Sequence, residues 1–592
     1  MPLPADTIPR VFESQARRLD NRALLKDKHD KVWRDHSWSA LDDQIRRLRA
    51  GLARLGIQPG DRVAILAENG PHWIVMDQAV LGLGAVVVPL YPTSGAEETR
   101  HVLDDSGARL VAVYGDAMIA KLRGLGKLPE LEGAIAMHPG AATSDDETLE
   151  VITVQQLSGF EPLGAIAGGA DDLATLIYTS GTTGMSKGVM LTHRNILANC
   201  EVNQEALGLG ENDLTLSLLP IAHAFERTAG YYTVMTAGAA IAFAEGLAQI
   251  AQNLLEVEPT VVLTVPRLLE VIYQRVMRTV ESSPAIRRRI FRGAIDAGIR
   301  AAICRHRGQP VPATLALQMA LYRKLVFQRI RAIFGSRLRY LISGGAPLPI
   351  EINHLFSAAE VPIVEGYGLT EAAPVVAVNL HGHTRVGSVG RPLRGIQVRT
   401  LEDGELLVRG PNVMKGYYGR EDETREALDA QGWLHTGDIV KIDAEGYIRI
   451  VDRKKEIIVL SGGKNVSPVK LEARLIADPY IAQACVFGDR HKHLAALLAP
   501  NFENLAEPLE RFGLTGRPHE EVVADPRVRE IFQARIREFN QPLSDAETIA
   551  AFRLIARPFT QENGELTPTL KVRRRVVQEH YRDEIAALYR GA

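Results

Sequence analysis

Tyr178-Thr179-Ser180-Gly181-Thr182-Thr183-Gly184-Met185-Ser186-Lys187-Gly188-Val189 follows an apolar run at 173–177 and precedes a stretch expected to be helical at about 195–204. Three glycines, five serines or threonines and one lysine crowd this segment. Small residues of this kind let backbone N–H groups converge on an anion, and one lysine adds a compact positive charge. The stretch therefore predicts a phosphate cradle on an α/β scaffold. It is not a Walker A loop, which would need glycine at 186 and serine or threonine at 188, where the chain has Ser186 and Gly188.

The surrounding pattern agrees with that scaffold. Up to about residue 380, short β-branched runs alternate with helical stretches, as in parallel α/β sheets. Strands are expected at 62–67, 85–90, 109–114, 173–178, 260–265, 339–343 and 362–364. From Val386 the texture changes to short strands at 397–401, 405–409, 439–442 and 447–451, punctuated by glycines, which predicts a small antiparallel β subdomain, a β-barrel in the fold that the family resemblance of the motifs implies. A further unit begins after Asp452-Arg453-Lys454-Lys455 with a strand at 457–460, the loop 461–465 and a helix opening at Ser467-Pro468. The expected division is 1–454 for a large N-terminal domain and 455–592 for a smaller α+β domain, whose mobility is implied only by the family resemblance that the motifs carry.

Composition narrows the function classes. With 592 residues, 46% hydrophobic and 24% charged, the chain is globular and too long for one core. A net charge of −2 gives no reason to expect a nucleic-acid partner. Cys200, Cys304 and Cys485 are widely spaced and lack metal-ligand spacing, which fits a reducing compartment. The beginning of the chain reads as no signal peptide, and the apolar stretch at 79–90 is too short to span a bilayer. The expectation is a soluble cytoplasmic enzyme.

The 178–189 run resembles the phosphate-binding signature of the adenylate-forming superfamily, which includes acyl-CoA synthetases, luciferases and peptide-synthetase adenylation domains. Ser186 departs from it, since the family usually has proline there. Further segments match in the family's order. Ser343-Gly344-Gly345-Ala346-Pro347-Leu348 resembles the wall against adenine and the acyl carboxylate. Glu365-Gly366-Tyr367-Gly368-Leu369-Thr370-Glu371 resembles the central nucleotide motif. The resemblance implies that Tyr367 stacks on adenine, Thr370 contacts phosphate and Glu371 holds Mg²⁺. Such roles suit these groups, because Mg²⁺ favours a carboxylate with phosphate oxygens and an aromatic ring offers a base a flat face.

Trp433-Leu434-His435-Thr436-Gly437-Asp438 resembles the ribose motif, with Asp438 accepting from both hydroxyls. Asp452-Arg453-Lys454-Lys455 resembles the hinge motif, with Arg453 near ribose and phosphate and Lys455 at the pivot. Gly564-Glu565-Leu566-Thr567-Pro568-Thr569-Leu570-Lys571 resembles the segment carrying the catalytic lysine. By that resemblance Lys571 neutralises the two anions that must meet. The implied nucleotide set is Thr179, Ser180, Gly181, Thr182, Thr183, Gly184, Lys187, Gly345, Ala346, Gly366, Tyr367, Gly368, Thr370, Asp438 and Arg453. The implied catalytic set is Lys571, Thr370, Glu371 and Lys187. Gly462 and Gly463, in the loop after the hinge, leave room for the pantetheine arm of CoA.

Two features resemble the long-chain acyl-CoA synthetase branch: the Leu-Thr-Pro-Thr-Leu-Lys form ending at Lys571, and the basic insertion at 281–340. The stretch Leu218 to Arg227 resembles the acyl entrance, with His223, Phe225 and Gly344 at the pocket. The implied reaction is ATP, fatty acid and CoA to acyl-CoA, AMP and diphosphate. The alternatives are a fatty acyl-AMP ligase, a ligase of medium-chain or aryl acids, or an inactive nucleotide- or lipid-binding regulator. Between 281 and 340 thirteen Arg/Lys face two acids, interleaved with apolar residues. Such helices can rest on an anionic membrane, or simply present a solvated face. Peripheral contact at the inner membrane face and a homodimer complete the expectations.

Overall fold

The computed structural model describes residues 5–141, 144–146, 149–179, 185–306, 309–380, 384–567 and 571–590. Two nine-stranded sheets organise the larger part of the chain. One runs in the order 391–392, 375–378, 363–368, 340–343, 261–264, 214–217, 240–243, 23–29, 32–37. Its six central strands are parallel, and antiparallel strands finish both edges. The other runs 416–417, 187–192, 173–179, 86–90, 62–66, 110–113, 133–136, 149–153, 144–146, again parallel at its centre.

Both sheets feed one large core. Helices Pro71–Gly82 and His193–Leu207 lie in it with strands of both sheets. Every residue from Trp73 to Gly82 is buried. A helix buried on all sides belongs between two layers, which is why this stretch is mostly hydrophobic, its Asp77 paired with Arg227, without being a membrane span. Among the described residues no helix is long and apolar enough to cross a membrane.

The small β subdomain is a four-stranded antiparallel sheet of 397–400, 405–409, 434–442 and 448–453, its two outer strands not paired with each other. The last unit carries a three-stranded sheet, 481–487, 494–500 and 549–554, under its own apolar cluster. Strand 458–459 pairs with 465–466 across the glycine turn, and Gly463 takes φ +75°, which a side chain would strain. Ser467 caps the helix Pro468–Ile476, accepting from the Lys470 N–H at 3.3 Å, with proline in the first turn as the sequence predicts.

The basic insertion packs beside the first sheet. Helices Ala285–His306 and Ala313–Tyr322 pack on the main domain through Phe291, Ala294, Ala297, Ala301, Leu315 and Met319. The interleaved apolar residues therefore divide. Phe291, Phe327 and Ile330 are core, whereas Ile286, Leu321 and Leu325 are exposed.

Candidate active site

Ligands of parallel sheets gather at the carboxyl ends of the strands. Here the ends of 214–217, 261–264, 340–343 and 363–368 stand side by side. From the first leaves the segment with His223 and Phe225, from the third Ser343-Gly344-Gly345, and from the fourth Thr370 and Glu371. A Cβ added to Gly344 would lie 3.1 Å from the Phe225 ring, so glycine here lets the two segments close together. Gly345 turns away at φ +84°. Gly366 and Gly368 lie on strand 363–368, and a side chain on Gly368 would collide with the Pro374 carbonyl. Ala346 follows in the same loop.

The phosphate segment is built differently from the expected strand, loop and helix. Strand Leu173–Thr179 turns back into a second, antiparallel strand Lys187–Thr192, pairing Thr179 with Lys187, and only then does the helix begin, capped by Thr192. Ser180, Gly181, Thr182, Thr183 and Gly184 lie outside the described residues, as do Pro568, Thr569 and Leu570. Ser186 is firmly held: its hydroxyl donates to Glu98 at 2.5 Å and its carbonyl meets His101 Nε2 at 2.8 Å. Lys187 stands over the Tyr417 ring at 5.3 Å, and the Tyr417 hydroxyl donates to Glu371 at 2.9 Å. Sequence reasoning missed Tyr417, which lies in an unremarked Gly-Tyr-Tyr run at the edge of the second sheet.

Asp438 forms the centre of the charged part. The Tyr367 hydroxyl donates to its Oδ2 at 2.5 Å, and Arg453 Nε lies 3.5 Å from its Oδ1. Strand register puts Asp438 directly opposite Arg453. Burial raises the Asp438 pKa, opposed by Arg453 and by the Tyr367 hydrogen bond. Lys571 joins this group from the last domain. Withdrawal from water, and then the charge of Arg453, lower its pKa to about 8, against the opposing pull of Asp438 and Glu456. The same lysine acts on His223, whose pKa burial and that ammonium hold near 4. His223 is therefore neutral at neutral pH, and its Nδ1 accepts the Phe225 N–H at 3.2 Å. The proton then resides on Nε2, leaving a donor there.

Lys571 is held by a small loop with its own support. Its N–H donates to Thr567 Oγ1 at 3.0 Å, and Glu565 behind it is buried against Arg557 and His580. In the segment expected to be the hinge, Lys454 bonds Asp403 at 2.6 Å and Glu405 at 2.9 Å, while Lys455 is exposed. Gly462 and Gly463 open into free space at the hairpin turn. No group of three or more His, Cys, Asp or Glu that could cage a metal occurs among the described residues. A lone carboxylate such as Glu371 still suits Mg²⁺, which takes one or two carboxylates and completes its shell with phosphate and water.

Comparison with known proteins identifies the family and the fold. The family model described as AMP-binding enzyme matches residues 12–418, and the model of the AMP-binding enzyme C-terminal domain matches 455–592. The chain is 36% identical to the long-chain-fatty-acid–CoA ligase FadD15 of Mycobacterium tuberculosis, over 95% of this chain and 93% of that protein. It is 30% identical to a peroxisomal long chain acyl-CoA synthetase 6 of Arabidopsis thaliana, over 92% of this chain and 80% of that one. In fold it is similar to an anthranilate CoA ligase bound to anthranoyl-AMP, with TM-score 0.75, 20% identity and 99% of each chain covered. The adenylation domain of a Mycobacterium chelonae carboxylate reductase superposes with TM-score 0.79 at 22% identity, covering 99% of this chain and 91% of that one. With both models matched in order, the chain belongs to the AMP-binding enzyme family.

Proposed function

We propose that this chain is an AMP-forming long-chain fatty acid–CoA ligase, working in two half-reactions on one site. The observation that carries the reading is the convergence of Asp438, Tyr367, Arg453 and Lys571 beside His223, at the strand ends where nucleotide and acid would meet. It is supported by the 36% identity to a long-chain-fatty-acid–CoA ligase over 95% of the chain.

In the first half-reaction a carboxylate oxygen of the acid bonds to the α-phosphorus of ATP as the bond to the β-phosphate oxygen breaks, giving acyl-AMP and diphosphate. No protein nucleophile takes part. Lys571 and Lys187 neutralise the converging anions, Thr370 donates to phosphate, and Nε2–H of His223 faces the carboxyl group. Asp438 accepts from the ribose hydroxyls, Arg453 steadies the nucleotide, and Tyr367 flanks the adenine. Glu371 would hold Mg²⁺, which would supply charge neutralisation on the phosphates. The acyl chain enters past Phe225 and Gly344.

In the second half-reaction the 455–592 domain turns about Lys455, withdrawing Lys571 and bringing Gly462 and Gly463 to the site. The CoA sulfur bonds to the acyl carbonyl carbon, AMP leaves, and the thiol proton passes to solvent. Diphosphate release across acids from acetate to C18, with and without CoA, tests the assignment. Release with long-chain acids, and thioester only when CoA is present, is expected. Preference for aryl or short acids, or acyl-AMP that CoA does not discharge, would overturn it.

The insertion supplies the finer point of where the acid is collected. Arg287, Arg288, Arg289 and Arg292 are exposed beside Ile286, and Leu317 and Leu321 on the neighbouring helix, with Leu325 just after it, are exposed too. Long-chain acids concentrate in bilayers, and each basic side chain near an anionic surface contributes about 1 kcal/mol at low salt. This face rests on the cytoplasmic leaflet in our reading. Co-sedimentation with vesicles should rise with anionic lipid, weaken in high salt, and drop when the four arginines become glutamine. A wild-type protein that ignores anionic vesicles at low salt would reduce the segment to a solvated surface.

A further inference from the structure

Helix Pro266–Glu281 starts at the carboxyl end of strand 261–264 and runs from the site toward the last domain. Gln274, Arg278 and Glu281 are spaced i, i+4, i+7, so they form one stripe along it. All three look to the 455–592 domain. Gln274 Nε2 donates to the Ile476 carbonyl at 2.9 Å and lies 3.5 Å from the Ile481 carbonyl, while Asn501 Nδ2 donates to Gln274 Oε1 at 3.4 Å. Arg278 lies 3.5 Å from Glu503, and Glu281 acts electrostatically on Tyr480 and Arg535.

Among the described residues the Gln274 side chain has no hydrogen-bond partner in its own domain, which is unusual for a buried helix side chain. It is buried at 6% exposure, and its hydrogen bonds all reach across to the other domain. One of them serves a real deficit: Ile476 ends helix Pro468–Ile476, where the final carbonyls have no partner within the helix. The contacts belong to the same arrangement in which Lys571 reaches Asp438 and Arg453 and acts on His223. Any rotation about Lys455 that withdraws Lys571 also carries Ile476, Ile481 and Asn501 away, since they move with the same domain. The amide of Gln274 and the Ile476 carbonyl then return to water.

We propose that Gln274, with Asn501 opposite, is a positioning latch that favours the adenylation arrangement of the two domains and so sets the balance between the half-reactions. It acts through Lys571 and touches no reacting atom. A contact present in one arrangement shifts the population toward it by its differential free energy, and by no more. Arg278 and Glu503 are largely exposed and add little by comparison.

The inference rests on the two-step reading above, and the test separates the two. Single-turnover diphosphate release without CoA reports the first half-reaction, and discharge of supplied acyl-AMP by CoA reports the second. Wild type must perform both; if it performs neither, the two-step reading itself fails. Given an active wild type, Gln274→Leu, which keeps bulk but loses the amide, should slow the first step about five- to tenfold, the effect of a few net hydrogen bonds. The second step should stay unchanged or quicken. Asn501→Ala, from the other side of the interface, should move the same ratio in the same direction, and the double variant should add less than the sum of the two. A loss of fold would depress both steps together. Equal loss in both steps for both variants, or an unchanged ratio, overturns the latch.

Discussion

Replacing Lys571 with alanine should slow acyl-adenylate formation by about 10²- to 10³-fold, the scale lost when one preorganised charge or donor is removed from a developing oxyanion. Discharge of supplied acyl-AMP by CoA should stay near the wild-type rate, because by then the lysine has been withdrawn. The pH profile gives an independent reading. A solvated lysine stays charged to about pH 10, but the burial of Lys571 lowers its pKa to about 8. Its ammonium is thus intact near pH 7 and lost as pH rises through 8. The first half-reaction measured as kcat/KM should fall over that range, while discharge by CoA need not follow it. Lys571→Arg should keep a charge at high pH and flatten the alkaline fall, at a lower overall rate because a planar fork replaces a compact cation. Equal loss in both half-reactions for the alanine variant would sink the role given to this residue.

The second large effect is on stability. Arg227 and Asp77 are both almost wholly enclosed, at 1% and 0% side-chain exposure, and meet at 2.5 Å. Tyr232 donates to Asp77 at 2.8 Å, and Arg227 also bonds Thr175 at 2.7 Å on the strand that leads into the phosphate segment. Asp77→Ala leaves a buried guanidinium without its carboxylate and should cost about 3–5 kcal/mol. The double change Asp77→Ala with Arg227→Met should cost clearly less than Asp77→Ala alone, since the stranded charge is gone. Urea unfolding, followed on the first transition of this multidomain chain, measures both. A single variant within 1 kcal/mol of wild type, about the scale of an ordinary exposed pair, would show that the network is not a unit.

Much of the scaffold was legible because buried parallel strands announce themselves as short apolar runs. The expectation at 62–67 is observed as Arg62–Leu66, and that at 85–90 as Val86–Leu90. The expected strand at 362–364 extends to Gly368, because Gly366 and Gly368 read as a turn while in fact they let the chain pair closely with 375–378. Strand Lys187–Thr192 was hidden for a related reason: its lysine and glycine look like the tail of a loop, and only the facing strand makes them β. Residues matched to known motifs were legible one by one, but their meeting was not. That Lys571 lies beside Asp438 and His223, or that Tyr417 holds Glu371, depends on long-range packing across elements far apart in sequence. Gln274 gave no signal at all, since a lone glutamine on a helix reads as solvated.

The anchoring of Lys454 bears on the order in which products depart. Its ammonium is fixed to Asp403 and Glu405 and its N–H to the Gly437 carbonyl at 2.7 Å, one residue from Asp438. In the proposed cycle the swivel would therefore begin only after the strand pair that brings Asp438 and Arg453 together. In the proposed cycle the ribose end of the nucleotide keeps its seat while the neighbouring domain swings. Diphosphate can leave between the steps, whereas AMP stays in place until the thioester has formed and departs with the last turn of the cycle.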